Sequence, residues 1–393
     1  MFNETVMQLT EVKDQTTAAA FIQVNVEINK HDPSYIRPLN KDVDEVFDPG
    51  KNKTFGFGEA TRWILRDNNG NLIGRIAAFV NKKYHNKEDE GPVGGIGFFD
   101  CINNQLAADM LFDVSRHWLL QRGMQAMDGP INFGERDRWW GLVVKGFNEP
   151  LYCMNYNQPY YKELFENYGF RPFYNQLCFG MSIQGPFHKK LWNRHAAIAN
   201  DPSYRMVTID KGQLKKYAAD FSYVYNKAWS GHDGLKELNP QQVLRMFEQM
   251  KPVMDEKIAW FVYHNNQPVS IFINLPDLNQ WFKFLNGKLD LWNKLKLLWL
   301  MKKKPSRKMV GLVFGVIPEY QGKGLDAYMI IEAGITLRQY GYEQYEMQWI
   351  GDFNPKMINV ARRMGETWPS RTLTTYRYLF DRTQAFKPHP VLM

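Results

Sequence analysis

Residues 311–330, GLVFGVIPEYQGKGLDAYMI, run an apolar stretch into an amphipathic one through Gln321-Gly322-Lys323-Gly324-Leu325-Asp326. A strand that ends at glycines opening a helix is a natural anion site. Glycine lets backbone N–H groups approach a phosphate, and the helix start carries partial positive charge. Lys323 adds a cation. The chemistry on offer is therefore the holding of a phosphate-bearing ligand. Neither of two common phosphate motifs fits. The P-loop needs Ser or Thr after its lysine, and Gly324 and Leu325 follow Lys323. The dinucleotide fingerprint needs a third glycine where Ala327 stands, and no ribose-binding acid follows a strand about twenty residues on.

The loop resembles the pyrophosphate loop of the GNAT acyltransferase superfamily, Q/R-x-x-G-x-G/A after a strand ending in V-x-P. Val316, Pro318, Gln321 and Gly324 hold the matching places, and Asp326 stands where the motif ends in a small residue. A second likeness is NPKMINVARRMG, where Asn354 and Gly365 keep the family's spacing; NQPYYKELFENYGF is its counterpart in the first half. The resemblance implies an α/β chain of two GNAT-like domains in tandem. Each is a mixed, mostly antiparallel sheet flanked by helices.

It also implies that acetyl-CoA or another acyl-CoA is the cosubstrate. Val316, Gln321, Gly322, Lys323, Gly324, Leu325, Asp326 and Asn354 would bind it, with a bulky side chain at Gly324 expected to fill the phosphate cradle. An amine, small or peptidic, would attack the thioester directly. Catalytic candidates are Glu346 (or Asp352, at the strand end) as base, His232 on the acceptor side, and Tyr376 or Tyr378 as the acid that protonates the thiolate. The family's usual tyrosine position holds Ala361. The leading reading is an N-acyltransferase, foremost an N-acetyltransferase. The alternatives are a Fem-like aminoacyl transferase and a non-catalytic binding module.

The elements that must position these residues repeat in order. In the first half, RWILRD and NLIGRIAAF form a hairpin about Asn68-Asn69-Gly70. GGIGFFDC reads as a strand, a helix ending at Gly123 follows, MQAMDGPINF is a strand, and a helix ending at Gly169 leads to FYNQLCFGMSI. The second half gives YRMVTI, two helices, a hairpin turning at Asn265-Asn266, MVGLVFGVI, a helix, YEQYEMQWI, a helix and TTYRYLF. The divisions are a domain over 1–185, a linker over 186–203, and a domain over 204–393 carrying the acyl-CoA loop. The first half lacks that loop, since Ile102-Asn103-Asn104 caps a helix instead. Its GERDRWWG stretch reads as a surface loop or a wall of the acceptor groove.

Composition bounds the rest. Of 393 residues, 44% are apolar and 15% aromatic, which suits packed cores. The 49 basic and 41 acidic residues leave +8, enough to favour a nucleotide cofactor without arguing for nucleic acid. Cys101, Cys153 and Cys178 form no CxxC pair, so no metal site or disulfide framework is expected, and the setting reads as reducing and cytoplasmic. The N-terminus has no signal-peptide pattern. Residues 281–308 hold nine Lys or Arg and one Asp among Trp and Leu. They predict an amphipathic helix packed on the domain, a lid over the acceptor, or a face for anionic membrane.

Overall fold

A computed structural model describes residues 7–229 and 237–392. The first half carries β1 (Gln8–Glu11), α1 (Gln15–Asn29), α2 (Asn40–Val46), β2 (Gly58–Arg66), β3 (Leu72–Asn81), β4 (Val93–Cys101), α3 (Gln105–Leu120), β5 (Ala126–Gly129), β6 (Leu142–Lys145), α4 (Tyr161–Tyr168) and β7 (Arg171–Ser182). Helix α5 (Lys189–Ala199) follows. The second half carries β8 (Tyr204–Thr208), α6 (Leu214–Ala228), α7 (Pro240–Met250), β9 (Ala259–His264), β10 (Gln267–Pro276), α8 (Asn279–Phe282), α9 (Leu291–Lys303), β11 (Lys308–Val316), α10 (Leu325–Gln339), β12 (Gln344–Met347), β13 (Ile350–Gly351), α11 (Pro355–Arg363) and β14 (Thr367–Leu379).

Local chemistry sets many boundaries. Asn104 accepts the Ala107 N–H at 3.1 Å and starts α3. Asn239 and Gln242 form a capping box around Pro240 at the start of α7. Asn265 and Asn266 both take positive φ, the geometry a two-residue hairpin turn between β9 and β10 needs.

The strands form one sheet in the order β1-β2-β3-β4-β5-β14-β7-β12-β11-β10-β9-β8, with β6 beside β14 and β13 beside β7. It is a mixed, mostly antiparallel sheet flanked by helices. Parallel pairing occurs between β4 and β5 and between β11 and β12. Helices α1 and α2 pack in one core of the first half, α3 and α4 in another. Residues from α5, α6, α7 and α10 share the core of the second half.

Two arrangements were not visible from element order. The chain's last strand, β14, lies between β5 and β7, so a strand from residues 204–393 completes the first half's sheet. In turn β7 lies between β14 and β12. The stretch 186–203 is also more than a connector, because α5 packs along α10: the His195 ring lies 5.7 Å from the Tyr328 ring and its Nε2 is 2.6 Å from Glu332 Oε1.

The exchange of β7 and β14 makes a prediction. A fragment of residues 1–185 leaves β5 and β7 without their shared neighbour, so its NMR spectrum should show poor dispersion. A well-dispersed spectrum would mean the first half folds without β14.

Candidate functional site: a wedge between parallel strands

Strand β11 pairs with β10 from Met309 to Val316, and a bulge interrupts the register. Ile273 opposes Val313 and Asn274 opposes Gly311, leaving Leu312 as the extra residue. On the other edge β11 meets β12 at only four positions, Lys308↔Gln344 to Gly311↔Met347. The chain after β12 then turns away, and β13 pairs with β7. A wedge therefore opens between two parallel strands, with residues 312–316 as one wall. Trp229, stacked on Tyr225, lies against that wall, where a Cβ added to Gly315 would come within 2.7 Å of its ring.

At the open end of the wedge comes the glycine loop. Gln321 Nε2 donates to the Val316 carbonyl at 3.0 Å and closes the loop on itself. Gly322 (φ +75) and Gly324 (φ +96) are both left-handed. A Cβ on Gly322 would meet nothing within 4 Å, whereas one on Gly324 would lie 2.7 Å from the Arg194 carbonyl. The open position is thus Gly322, and Gly324 packs against α5. As the N-cap of α10, Gly324 offers no side-chain oxygen, so the first-turn N–H groups of Leu325, Asp326 and Ala327 have no side-chain cap. The matching helix of the first half, α3, has Asn104 in that role. Free helix-start N–H groups favour an anion, and α10 has more of them than α3.

No protein-family model matches the chain. A tandem GNAT protein from the clavulanic acid biosynthesis pathway superposes with a TM-score of 0.52 at 11% identity, over 95% of this chain and 98% of that one. The chain has a tandem GNAT fold. It is also 23% identical over 366 residues to a bacterial ceramide synthase of Caulobacter vibrioides, covering 92% of this chain and 94% of that protein. Protein YghO of Escherichia coli is 25% identical over 358 residues, covering 88% and 89%.

Of the loop residues, Gln321, Gly322 and Lys323 are exposed, Val316 and Asp326 are half-buried, and Gly324 and Leu325 are buried, Leu325 in the core of the second half. Lys323 is exposed, its Nζ 5.4 Å from the Tyr320 ring centroid. Asp326 is held sideways: Arg194 Nη2 on α5 donates to its Oδ1 at 2.5 Å. The carboxylate that would oppose a phosphate thus has its own cation. Asn354 is a helix cap, its side chain accepting the Met357 N–H at 3.2 Å ahead of Pro355. Asp352 is exposed and accepts from Asn175 Nδ2 at 2.8 Å.

The catalytic candidates fare differently. Glu346 is buried and fully engaged. Its Oε1 accepts from Arg371 Nε at 2.7 Å and Ser370 Oγ at 2.8 Å, and its Oε2 lies 2.5 Å from Lys308 Nζ. Burial alone would raise its carboxyl, but Arg371 and then Lys308 outweigh burial and hold it below the usual range. A carboxylate so placed is a clamp, not a base. Tyr376 pairs with Gly129 of β5 and sits in a first-half core, its hydroxyl donating to Glu166 Oε1 at 3.1 Å. Burial, then Glu166, push its phenol up. Tyr378 is in the same core. Strand alternation cannot say which sheet receives a strand, and β14 carries both tyrosines away from the loop. His232 lies outside the described residues. Sequence reasoning did not single out Arg194, Trp229, Lys308 or Arg371. Their partners lie on other elements, and no local signal marks them.

Glu346→Gln should cost about 3 kcal/mol of stability, since Arg371 and Lys308 lose their shared counter-charge in a buried place; urea unfolding reads this. A carboxylate whose folded pKa is lowered adds stability above its unfolded value, about 4.3, and loses it as pH falls through the folded value. The variant's stability should therefore fall less steeply on acidification than the wild type's. Unchanged stability with lost turnover would return Glu346 to the role of base. Tyr376→Phe should cost about 1 kcal/mol and leave acyl-CoA affinity unchanged by calorimetry.

Proposed function

We propose that this chain is an acyl-CoA-dependent N-acyltransferase with one donor site, in the second half, and a long-chain lipid amine as acceptor. The observation that carries the donor side is the wedge between β11 and β12 ending at the uncapped N-terminus of α10. The N–H groups from Gly322 to Ala327 would take the pyrophosphate, with Lys323 as counter-ion and Arg194 neutralising Asp326. The unpaired edge of β11 would hold the amide-bearing arm of the cosubstrate. The acceptor class rests on the relative named a bacterial ceramide synthase, because a ceramide is a long-chain amino alcohol carrying an amide-linked acyl chain.

In the reaction the amine nitrogen bonds the thioester carbonyl carbon, the C–S bond breaks, and the thiolate leaves with the proton the amine gives up. Glu346 is bound to two cations and Tyr376 lies in another core. Positioning therefore carries the acceleration, and the amine reacts in its free-base form. Turnover should rise about tenfold per pH unit below the amine's own pKa. A plateau well below that pKa would point to a protein base.

Calorimetric titration with acetyl-CoA and with a long-chain acyl-CoA, followed by mass spectrometry of products from a long-chain amino alcohol, tests the reading. One-site binding and an N-acyl product support it. Binding without product favours the non-catalytic alternative, which the commitment of Glu346 and Tyr376 to structure makes worth distinguishing. Gly322→Asp should weaken acyl-CoA binding by about tenfold or more, roughly 1.4 kcal/mol, by placing a like charge in open space at the phosphate site. Gly322→Asn, which tolerates the same backbone conformation, should stay close to wild type. Equal affinities for the two variants would remove the pyrophosphate from this loop.

A further inference from the structure

Helix α9 has two apolar sides. One packs inward: Leu300 is buried, and Leu297 and Met301 rest on the cluster of Leu278, Trp281, Phe282 and Leu285. The other faces water. Leu291, Trp292, Leu295, Leu298 and Trp299 are 72%, 81%, 52%, 57% and 57% exposed. Their spacing of i, i+1, i+4, i+7 and i+8 gathers them on one stripe. A surface helix needs only its inward stripe to be apolar, so the second stripe lacks a folding reason. It is not a membrane span, since among the described residues no helix is long and apolar enough to cross one.

Cations border the stripe. Lys294, Lys302, Lys303 and Lys304 are exposed along the helix and just past its end. Lys304 Nζ lies 4.8 Å from the half-exposed Phe284 ring. The carboxylates nearby are engaged: Asp290 caps α9 by accepting the Asn293 N–H at 2.9 Å, and Glu149 pairs with Lys283 at 2.9 Å.

We infer that α9 docks this protein on an anionic lipid bilayer, lying in the interface with Trp292, Leu295 and Trp299 inserted and the lysines on the headgroups. The charge pattern selects this occupant. A second copy would set lysines against lysines, whereas an anionic surface is complementary to them. Tryptophan suits the boundary, where its ring is apolar and its N–H stays hydrated. The inference stands on α9 alone and does not require the acyltransferase reading.

The test is co-sedimentation of the full chain with vesicles of phosphatidylglycerol and phosphatidylcholine, and with phosphatidylcholine alone, at low and high salt. The wild type should bind the anionic vesicles at low salt and lose most of that binding at high salt. Trp292→Ser combined with Leu295→Ser and Trp299→Ser should weaken binding at least tenfold. Lys302→Gln with Lys303→Gln and Lys304→Gln should weaken it and flatten the salt dependence. Acyl-CoA titration of the same variants separates the two readings, because α9 variants should bind acyl-CoA as the wild type does. Wild type that stays in the supernatant at low salt overturns the inference, as do variants that bind vesicles equally well. So does a dimer in light scattering that the serine variant abolishes, which would give the face to a second copy.

Discussion

Four positions of parallel pairing hold β11 to β12, and a buried charge cluster holds those four positions. Lys308 opens β11, Glu346 sits within β12, and Arg371 comes from β14. Two cations share one carboxylate that is 4% exposed, with Asp277 a further 3.7 Å from Lys308. Removing one partner would strand a buried charge, so the strands are fixed to each other at this point more firmly than their short ladder implies. Past it they are free to part. The wedge exists because it is clamped at one end.

The same cluster ties the halves. Arg371 Nη2 donates to the Glu149 carbonyl at 3.1 Å, bringing a first-half loop to the closed end of the wedge. Strands β7 and β14 pair from Arg171 to Met181 against Thr367 to Arg377, and each lies next to a strand of the opposite half. The tandem arrangement is thus one continuous sheet. Among the described residues it has a parallel pair in each half, and of the helices that follow β4 and β11, α3 is capped by Asn104 and α10 has no side-chain cap. At the start of α3 the Asn104 side chain accepts the Ala107 N–H, one of the donors that α10 leaves uncapped at its own start.

What could be read from the sequence was local. The turn at Asn265-Asn266, the stops at Gly123 and Gly169, the cap at Asn104 and the glycine loop each depend on residues a few places apart. What could not be read was long-range pairing. Asp326 reads only as a departure from the loop motif, because its partner Arg194, 132 residues earlier, is invisible to local pattern. Glu346 looked like a base because alternation shows that a residue alternates, not which cations await it. Tyr376 looked available because nothing in TTYRYLF says the strand joins the first half. Residues 281–308 were legible as amphipathic, but only burial shows that α9 spends one apolar face on the core and turns another to water.

The central claim is that the loop from Gln321 to Asp326 is the anion end of a donor site opened by the wedge. Hydrogen exchange with and without acyl-CoA tests it most directly, because the groups invoked are backbone N–H groups. The account predicts slowed exchange in peptides covering 312–328 and no change over 102–107 at the start of α3. Protection at α3 instead, or none at the loop while acyl-CoA is bound, would contradict it.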